Sequence, residues 1–417
     1  MRNKRVVTAA AILLMAGMPA SMASVHPGQP QKEPPWVMNI PLEKIIEWRR
    51  HIHQNPELSY EELFTSEYVT TVLESFGNID VIWPTPTSVI GILKGSRPGR
   101  TVAFRADMDA LPVQEETGLP FASVNEGVSH ACGHDVHTAM LLGTAATLSS
   151  MQKQIKGTVY FIFQHAEEQS PGGALDIIET GVLDNVDAFF GLHIGPGDIP
   201  GAVGILPDGP ASTASDGFYL TINGKGSHGS MPQMGRDPIV AGAEMVMALQ
   251  TIVSRSVTPG EMAVITVGKF QSGNAPNVIP ERALLSGTVR TISEDTRDLI
   301  EGRIKTVIES IARVHDVTCS LEYTSGYPAM KNDPVLNRLA RTGALKILGS
   351  DMVFDAPRMT ASEDFARYRK IAPSCYLNLS TGPGVANHHP AFNPDESALI
   401  NGVKAEVQII LDYLEQK

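Results

Sequence analysis

The segment HACGHDVH, which runs from His130 to His137, places one cysteine among three histidines in a glycine-containing turn. Cys132 and His134 are two residues apart, so both side chains can face one point. Thiolate and imidazole groups are typical ligands of zinc and of neighbouring transition metals. A disulfide, a catalytic thiol and a metal site are the three chemistries that this segment could serve.

More metal-binding residue types lie at the ends of apolar segments or in loops. Glu167-Glu168 come just after TVYFIFQ, His193 follows an apolar run from Ala188, and His388-His389 lie in a loop rich in Gly, Pro and Asn. Together with Cys132 these residues suffice for a two-metal site, which needs a bridging ligand. Adjacent carboxylates are explained if one binds metal and its neighbour activates water.

A thiol nucleophile is the competing interpretation of Cys132. The residue lies near the start of a predicted helix, and His134 or His137 could serve as its base. This interpretation leaves Glu167-Glu168 unexplained. The three cysteines, Cys132, Cys319 and Cys375, are an odd number, so at least one is unpaired or bound to something, and pairing of the other two stays open.

The predicted secondary structure brings the candidate residues to one edge of a sheet. Apolar strands are predicted at Thr101–Ala106, Thr158–Gln164 and Ala188–Leu192, with a helix at Asp135–Met151. Strands that alternate with helices indicate an α/β fold with a mostly parallel sheet, whose ligands lie beyond the carboxyl ends of the strands. Two earlier helices are predicted, one from Pro41 to His53 and one that starts at Ser59, with Glu62 at the capping-box spacing.

A smaller α+β domain is predicted as an insertion at residues 212–326, between the two parts of the main domain at 41–211 and 327–417. The insertion contains two helical patterns and four strand patterns. These lie at Ile239–Ser254 and Glu294–Val314 for the helices, and at Gly217–Ile222, Met262–Phe270, Arg282–Thr291 and Val317–Tyr323 for the strands.

The N-terminus has the pattern of a secretory signal peptide. Arg2, Lys4 and Arg5 precede an apolar run from Val6 to Met18, and small residues suit cleavage after Ala23. We expect a signal peptide at 1–23, a linker at 24–40, export to a periplasm or beyond, and no stable membrane association after cleavage. An uncleaved anchor is the alternative.

The composition restricts the partners. The chain has 417 residues, 42% hydrophobic, and a net charge of −12 with no basic cluster beyond the extreme N-terminus. This argues against nucleic acid as a partner. A mild acidic excess is otherwise common and says little about the substrate.

The motifs taken together resemble the aminoacylase/carboxypeptidase G-type metallopeptidases, in particular the branch of hippurate hydrolases and indole-acetyl-amino acid hydrolases. They are RADMDALP (Arg105 to Pro112), HACGHD, QHAEE, GLH and HHPAF, in the family's order, and the resemblance runs from about Leu42 to the C-terminus. It implies that two divalent ions (Zn, Mn, Co or Ni) are bound by five residues, and that Glu167 is the general base. The implied ligands are Cys132, His134, Glu168, His193 and His388.

Two of the residue roles that the resemblance implies have alternatives. His389 competes with His388 for the last ligand position. Asp109 matches the family's acidic residue that supports a metal ligand, but Asp107 could take that part, and an aspartate that only caps the next helix is the other possibility.

The resemblance extends to the insertion. GKGSHGSMP, from Gly224 to Pro232, resembles the family's lid motif, with Ser227, Gly229 and Ser230 where many relatives have Gly and Ala pairs. It implies that His228 polarises the scissile carbonyl, often in a partner's active site, that Asn277 contacts the substrate, and that the chain forms a homodimer through the insertion. The segment TASEDF (Thr360 to Phe365) also matches, without an assigned role.

The expected reaction is metal-dependent hydrolysis of the amide bond of N-acyl amino acids, with hippurate-like substrates. A dipeptidase or carboxypeptidase of the same fold is the first alternative. A non-catalytic exported metal- or solute-binding protein is the second, and a passive metal site has no need of the additional carboxylate of Glu167.

Overall fold

The computed structural model describes residues 33–416. The predicted signal peptide, 1–23, and the first part of the predicted linker lie outside the described residues. The last part of the linker is structured: Pro35–Asn39 form a 3-10 helix, and Trp36 and Val37 are buried in the main core. Among residues 33–416, no helix has the length and apolar character needed to cross a membrane.

The secondary structure elements alternate along the main part of the chain. The helices are α1 (Leu42–Gln54), α2 (Leu63–Glu74), α3 (His134–Ser150), α4 (Gly173–Glu179), α5 (Pro238–Ser256), α6 (Glu294–Val314), α7 (Pro334–Leu348) and α8 (Leu399–Glu415). The strands are β1 (Asp80–Thr85), β2 (Ser88–Lys94), β3 (Arg97–Asp107), β4 (Lys156–Gln164), β5 (Ala188–Gly195), β6 (Val203–Ile205), β7 (Gly209–Pro210), β8 (Ala214–Asn223), β9 (Ser227–His228), β10 (Ala263–Ser272), β11 (Val278–Ile279), β12 (Arg282–Thr291), β13 (Thr318–Ser325), β14 (Lys331–Asn332), β15 (Val353–Asp355) and β16 (Ser374–Ser380).

An eight-stranded sheet of order β1-β2-β4-β3-β5-β16-β6-β15 forms the centre of the fold. Its middle is parallel, because β3 pairs in parallel with both β4 and β5, and β5 pairs in parallel with β16. Strands β4, β5 and β16 are apolar and almost wholly buried, and β3 is buried over its second half, as a sheet covered on both faces requires. The mostly parallel α/β sheet predicted from the sequence is therefore confirmed.

Helix α3 runs beneath the candidate site and is buried along nearly its whole length. It packs against α1 and α8. A helix without a polar face belongs inside a core, which explains why the chain after HACGHD is apolar all round. Its first residue is His134, so the packing of α3 fixes that side chain against the sheet.

A second sheet, of order β10-β12-β8-β13, is wholly antiparallel. Helices α5 and α6 pack against it around a separate apolar core. The four strands and two helices predicted between residues 212 and 326 are all present, with ends that move by a few residues. All three cysteines are free, so Cys319 on β13 and Cys375 on β16 do not pair.

The helix predicted to start at Ser59 was placed wrongly, because α2 begins at Leu63. The Ser59 hydroxyl donates to Asp109 Oδ2 (2.7 Å) instead of capping a helix. The amides of Phe64 and Thr65 are bound by the carboxylate of Glu57, which lies upstream of the predicted cap. Ser59 and Glu62, the two residues of the apparent capping box, instead form hydrogen bonds with residues that are distant in the chain.

Candidate metal centre and active site

The chemistry-bearing residues gather around one cavity of about 810 Å³ at the carboxyl ends of the parallel strands. Cys132, Glu167, Glu168, His193 and His388 all line it. Glu167-Glu168 follow β4, as predicted. His193 lies within β5, which extends to Gly195, so the residue is part of the strand and does not follow it.

One group of possible metal ligands consists of Cys132, His134 and His193, whose donor atoms all lie within 4.8 Å of one another. The Cys132 Sγ atom is 3.4 Å from His193 Nε2. Gly133, between the first two residues, has φ +89° and a Cβ there would meet Ile194 at 2.4 Å. Only glycine permits this turn, which brings Cys132 and His134 to the same point.

A second group consists of Cys132, Glu168 and His388. His388 Nε2 lies 3.3 Å from Glu168 Oε1, and the His388 amide donates to the carbonyl of Ala131 (2.7 Å). His389 is exposed, and its Nδ1 atom accepts from the amide of Ala391. His388, and not His389, is therefore the histidine near the other donors, and Cys132 is common to both groups.

The hydrogen bonds of the two histidines His134 and His193 use Nδ1 and leave Nε2 for a metal ion. His134 Nδ1 lies 2.8 Å from the carbonyl oxygen of Asp109 and 3.2 Å from its Oδ1, while His193 Nδ1 donates to the carbonyl of Ile194. Among the described residues, His134 Nε2 is buried without a hydrogen-bond partner, and Glu168 Oε1, although 3.3 Å from His388 Nε2, makes no hydrogen bond of good geometry. Buried polar atoms are rarely left so. Metal ions would satisfy both atoms, and the S, N and O donor set fits divalent transition metals.

Asp107 belongs to a neighbouring network. Its Oδ1 atom is 2.5 Å from His137 Nδ1, and His137 Nε2 accepts from the amide of Ile194 at 2.9 Å. Both ring nitrogens of His137 are thus used, and the residue is not available as a base for Cys132. Asp109 is the aspartate that supports His134, and it binds the amide of Glu168 instead of capping a helix.

The protonation preferences of two residues bear on the alternatives for this site. Burial raises the pKa of the Cys132 thiol, whereas catalytic thiols have a lowered pKa. Burial lowers the pKa of His193 to about 3, which keeps the imidazole neutral, as a metal ligand must be. The thiol-nucleophile interpretation is therefore disfavoured.

Glu167 is 7% exposed and faces both the donor atoms and a buried acidic cluster. Its carbonyl accepts from the Tyr327 hydroxyl (2.7 Å). Burial, followed by the charges of Glu363 and Glu168, raises the pKa of Glu167 well above its usual value. A carboxyl group in this setting has a strong affinity for a proton.

Several residues of the site were missed from the sequence. Arg105 is buried and pairs with Asp107 (2.7 Å), Glu363 (3.1 Å) and Asp364 (2.8 Å), so it balances the acidic cluster beside Glu167. Glu363 and Asp364 are the acidic pair of the TASEDF segment, which the sequence singled out without a role. The resemblance was their only available signal.

Arg290, at the end of β12, was also missed. It lines the cavity, and its Nη1 atom is buried without a hydrogen-bond partner. No sequence pattern distinguishes it from other arginines on strands. It supplies a cationic group to a cavity whose other charged residues are mostly acidic.

His228 and Asn277 lie side by side but apart from this cavity. Strands β9 and β11 pair His228 with Val278, and the Gly229 amide donates to the carbonyl of Asn277 (2.8 Å). Both residues are exposed, and neither lines the cavity. The structure does not bring them to the candidate metal ligands of the same chain.

Comparison with known proteins agrees with this geometry. Residues 103–412 match the model of peptidase family M20/M25/M40. The chain is 42% identical to an N-acetyl-L-cysteine deacetylase of Bacillus subtilis over 362 residues, which are 86% of each protein. It is 46% identical over 293 residues to an N-acyl-L-amino acid amidohydrolase of Geobacillus stearothermophilus, covering 70% of this chain and 78% of the relative.

A solved structure shares the architecture. A dinuclear metal-binding peptidase of family M20 from Bacillus subtilis superposes with a TM-score of 0.79 and 35% identity, over 90% of this chain and 99% of that one. Residues 103–412, which the family model matches, include both donor groups. The chain therefore belongs to peptidase family M20/M25/M40 and is a metal-dependent hydrolase with a site for two divalent ions.

Proposed function

We propose that this protein hydrolyses the amide bond of N-acyl amino acids, with bulky apolar acyl groups, as in hippurate, among its preferred substrates. The observation that supports it most strongly is the shared position of Cys132. Two groups of donors meet at this thiol, Cys132–His134–His193 and Cys132–Glu168–His388, and Glu167 lies beside them on the wall of a substrate-sized cavity.

The five donors would hold two ions, with Cys132 as the ligand common to both. When bound, the ions supply Lewis acidity that polarises an amide carbonyl and makes water a nucleophile at neutral pH. Glu167 takes the proton from the attacking water on its carboxylate and passes it to the nitrogen of the departing amine. Asp109 holds His134 in the tautomer that presents Nε2 to the other donors, Cys132 and His193.

The cavity supports a large acyl group. Its volume of about 810 Å³ is far greater than an acetyl group needs, and apolar side chains line one part of it. Examples are Ile199, Phe354, Met359 and Leu379. An aromatic or long aliphatic acyl group would bury its surface there and gain the free energy of apolar burial.

Arg290 supports an anionic end on the substrate. Arg290 lines the cavity, and its Nη1 atom has no partner among the described residues, so a free α-carboxylate bound there would satisfy the guanidinium group. A guanidinium group binds carboxylates through paired, charge-assisted hydrogen bonds. The amino acid half of the substrate would therefore lie toward β12, and the acyl half toward the apolar side chains.

We further propose that the enzyme is exported and works as a homodimer through the insertion. The basic and apolar pattern of residues 2–18 supports export. The exposure of His228 and Asn277, away from the cavity of their own chain, supports a site completed by a partner, in which His228 stabilises the developing oxyanion. Mass spectrometry of secreted protein is expected to find Ser24 as the first residue.

The direct test is amine release from a panel of N-acyl amino acids by mature protein, stripped of metal and then refilled with Zn, Mn, Co or Ni. The panel contains hippurate, N-acetyl amino acids and free dipeptides. Metal-restored hydrolysis that is fastest with aromatic acyl groups is expected. Faster cleavage of dipeptides would favour a peptidase, and metal binding without any turnover would favour a binding protein.

A further inference from the structure

Glu62 connects the start of α2 to the turn that carries Glu167. Its side chain is fully buried, and its Oε1 atom accepts a hydrogen bond from the Ala166 amide at 2.7 Å. The second oxygen, Oε2, is buried and has no hydrogen-bond partner in the part of the chain that the structure describes. Burial, together with the charge of Asp109, raises the pKa of Glu62 to about 8, so the side chain is neutral at neutral pH.

Helix α2 does not use this carboxyl group. Glu62 occupies the N-cap position, yet it makes no side-chain capping hydrogen bond. The amides of Phe64 and Thr65 are bound by Glu57, at 3.0 and 2.8 Å. Because Glu57 caps the helix, the structural requirement of α2 does not explain why Glu62 is acidic and buried.

The turn that Glu62 holds has an unfavourable backbone conformation. Ala166 has φ +49°, in the left-handed region that residues other than glycine rarely adopt. The carbonyl of Ala166 accepts from the Gly173 amide (3.1 Å), and the amide of Glu168 donates to Asp109 Oδ2 (2.9 Å). Such conformations persist only where surrounding contacts impose them.

We propose that Glu62 is a positioning residue for Glu167. Its hydrogen bond to the Ala166 amide holds the left-handed turn, and this turn directs the carboxyl group of Glu167 into the cavity. Glu62 itself does not line the cavity, and it belongs to none of the donor groups among the described residues. The inference rests on the proposed role of Glu167 as the general base.

The test compares Glu62→Ala, Glu62→Gln and Glu57→Ala. In Glu62→Ala the turn loses its acceptor, and we expect kcat to fall about 10–100-fold, as small misplacements of catalytic groups do, with KM and the content of two ions unchanged. Glu62→Gln keeps an amide oxygen at the same place and is expected to retain kcat within about threefold. Glu57→Ala lowers the unfolding midpoint but leaves kcat intact.

A double-mutant cycle separates positioning from general destabilisation. If Glu62 acts through Glu167, adding Glu62→Ala to Glu167→Gln causes no further loss of the residual rate. An additive loss, equal damage by Glu62→Gln and Glu62→Ala, or loss of metal from Glu62→Ala would each overturn the proposal.

A readout independent of activity completes the test. Hydrogen exchange at the amides of residues 164–168 is expected to accelerate in Glu62→Ala and to stay unchanged in Glu57→Ala and Glu62→Gln. Unaltered exchange in Glu62→Ala would overturn the positioning role even if the wild type cleaved none of the substrates. Absence of wild-type turnover, with accelerated exchange in Glu62→Ala, would instead reject the proposed function and retain the link between Glu62 and the turn.

Discussion

The Sγ atom of Cys132 lies 3.4 Å from Nε2 of His193, although 61 residues separate them in the chain. The thiol also faces Glu168 and His388. It therefore occupies the point where the donors of two ions meet. A substitution of Cys132 is therefore expected to affect both donor groups.

We expect Cys132→Ala to bind fewer than two ions per chain, because the ligand common to both donor groups is removed. Hydrolysis should fall with the metal content. Elemental analysis after gel filtration measures the ions. Cys319→Ala is the matched control, since Cys319 lies on β13 in the other sheet and belongs to no donor group within residues 33–416. Full metal content in Cys132→Ala would show that the thiol is not a ligand.

Glu167→Gln is expected to retain both ions and to lower kcat by about 10²–10⁴-fold, the usual contribution of a general acid–base group. The amide keeps the size of the side chain but cannot accept the proton. Steady-state amine release, with metal content measured on the same sample, tests this. Glu179→Gln, on the exposed side of α4, is the control. Normal turnover in Glu167→Gln would remove Glu167 from the proposed role.

Arg290→Ala is expected to lower kcat/KM about 10–100-fold for N-acyl amino acids, as the loss of a charge-assisted hydrogen bond does. The same change should have little effect on N-acyl amino amides, which lack the carboxylate. Arg282→Ala provides the control on the same strand, because Arg282 is exposed and binds Asn223. An equal loss with both substrates would mean that Arg290 has a structural role and does not recognise a carboxylate.

His228→Ala and Glu167→Gln are expected to complement each other when mixed and allowed to exchange subunits. A heterodimer has one site with an intact Glu167 and an intact His228 from the partner, so a random mixture should regain about a quarter of the wild-type activity. Either variant alone should remain nearly inactive. If the mixture is no more active than the average of its components, His228 does not act across a dimer.

Glu406 provides a prediction about stability that is independent of catalysis. It is buried on α8, accepts a hydrogen bond from Thr144 (2.6 Å), and burial raises its pKa to about 8. The unfolded chain releases this proton above the ordinary pKa of 4.5, while the folded chain holds it until about pH 8. The contribution of Glu406 is therefore complete below pH 4.5 and is lost as the pH rises toward 8.

Glu406→Gln does not titrate, so its stability relative to the wild type should increase through this window. We expect the free energy of unfolding of Glu406→Gln, measured relative to that of the wild type, to be about 2–4 kcal/mol higher at pH 9 than at pH 5. This range follows from about 1.4 kcal/mol per pKa unit, with a discount for relaxation of the buried site. Urea unfolding at the two pH values measures it. Glu74→Gln, at an exposed position on α2, should show no such difference. A constant difference between Glu406→Gln and wild type would show that Glu406 is ionised in the folded chain.

The sequence was sufficient for the parallel strands β3, β4 and β5 at the middle of the central sheet, because their signals are local. Buried strands such as Thr158–Gln164 are continuous apolar runs, and each stops where the chain must return to the surface. Cys132 and His134 were identifiable because their spacing around Gly133 already lets both side chains face one point. Glu167-Glu168 and His193 followed from their positions at strand ends.

Other features depend on partners that are distant in the chain, and these could not be predicted. Ser59 and Glu62 have the spacing of a capping box, yet they bind Asp109 and Ala166, which are 50 and 104 residues away. His137 looks as suitable for metal as His134 until the amide of Ile194 is found to occupy its Nε2 atom. Arg290 becomes unusual only when its surroundings leave it without a partner.

The two donor groups differ in how rigidly their residues are held. His134 begins the buried helix α3 and His193 lies within β5, whereas His388 is on a loop with its side chain 56% exposed and φ +69°. The first group is held by a buried helix and a strand, whereas the second includes an exposed imidazole on a loop. Two ions bound here would therefore differ, and we expect stepwise occupancy, with an ion at His193 retained more tightly than an ion at His388.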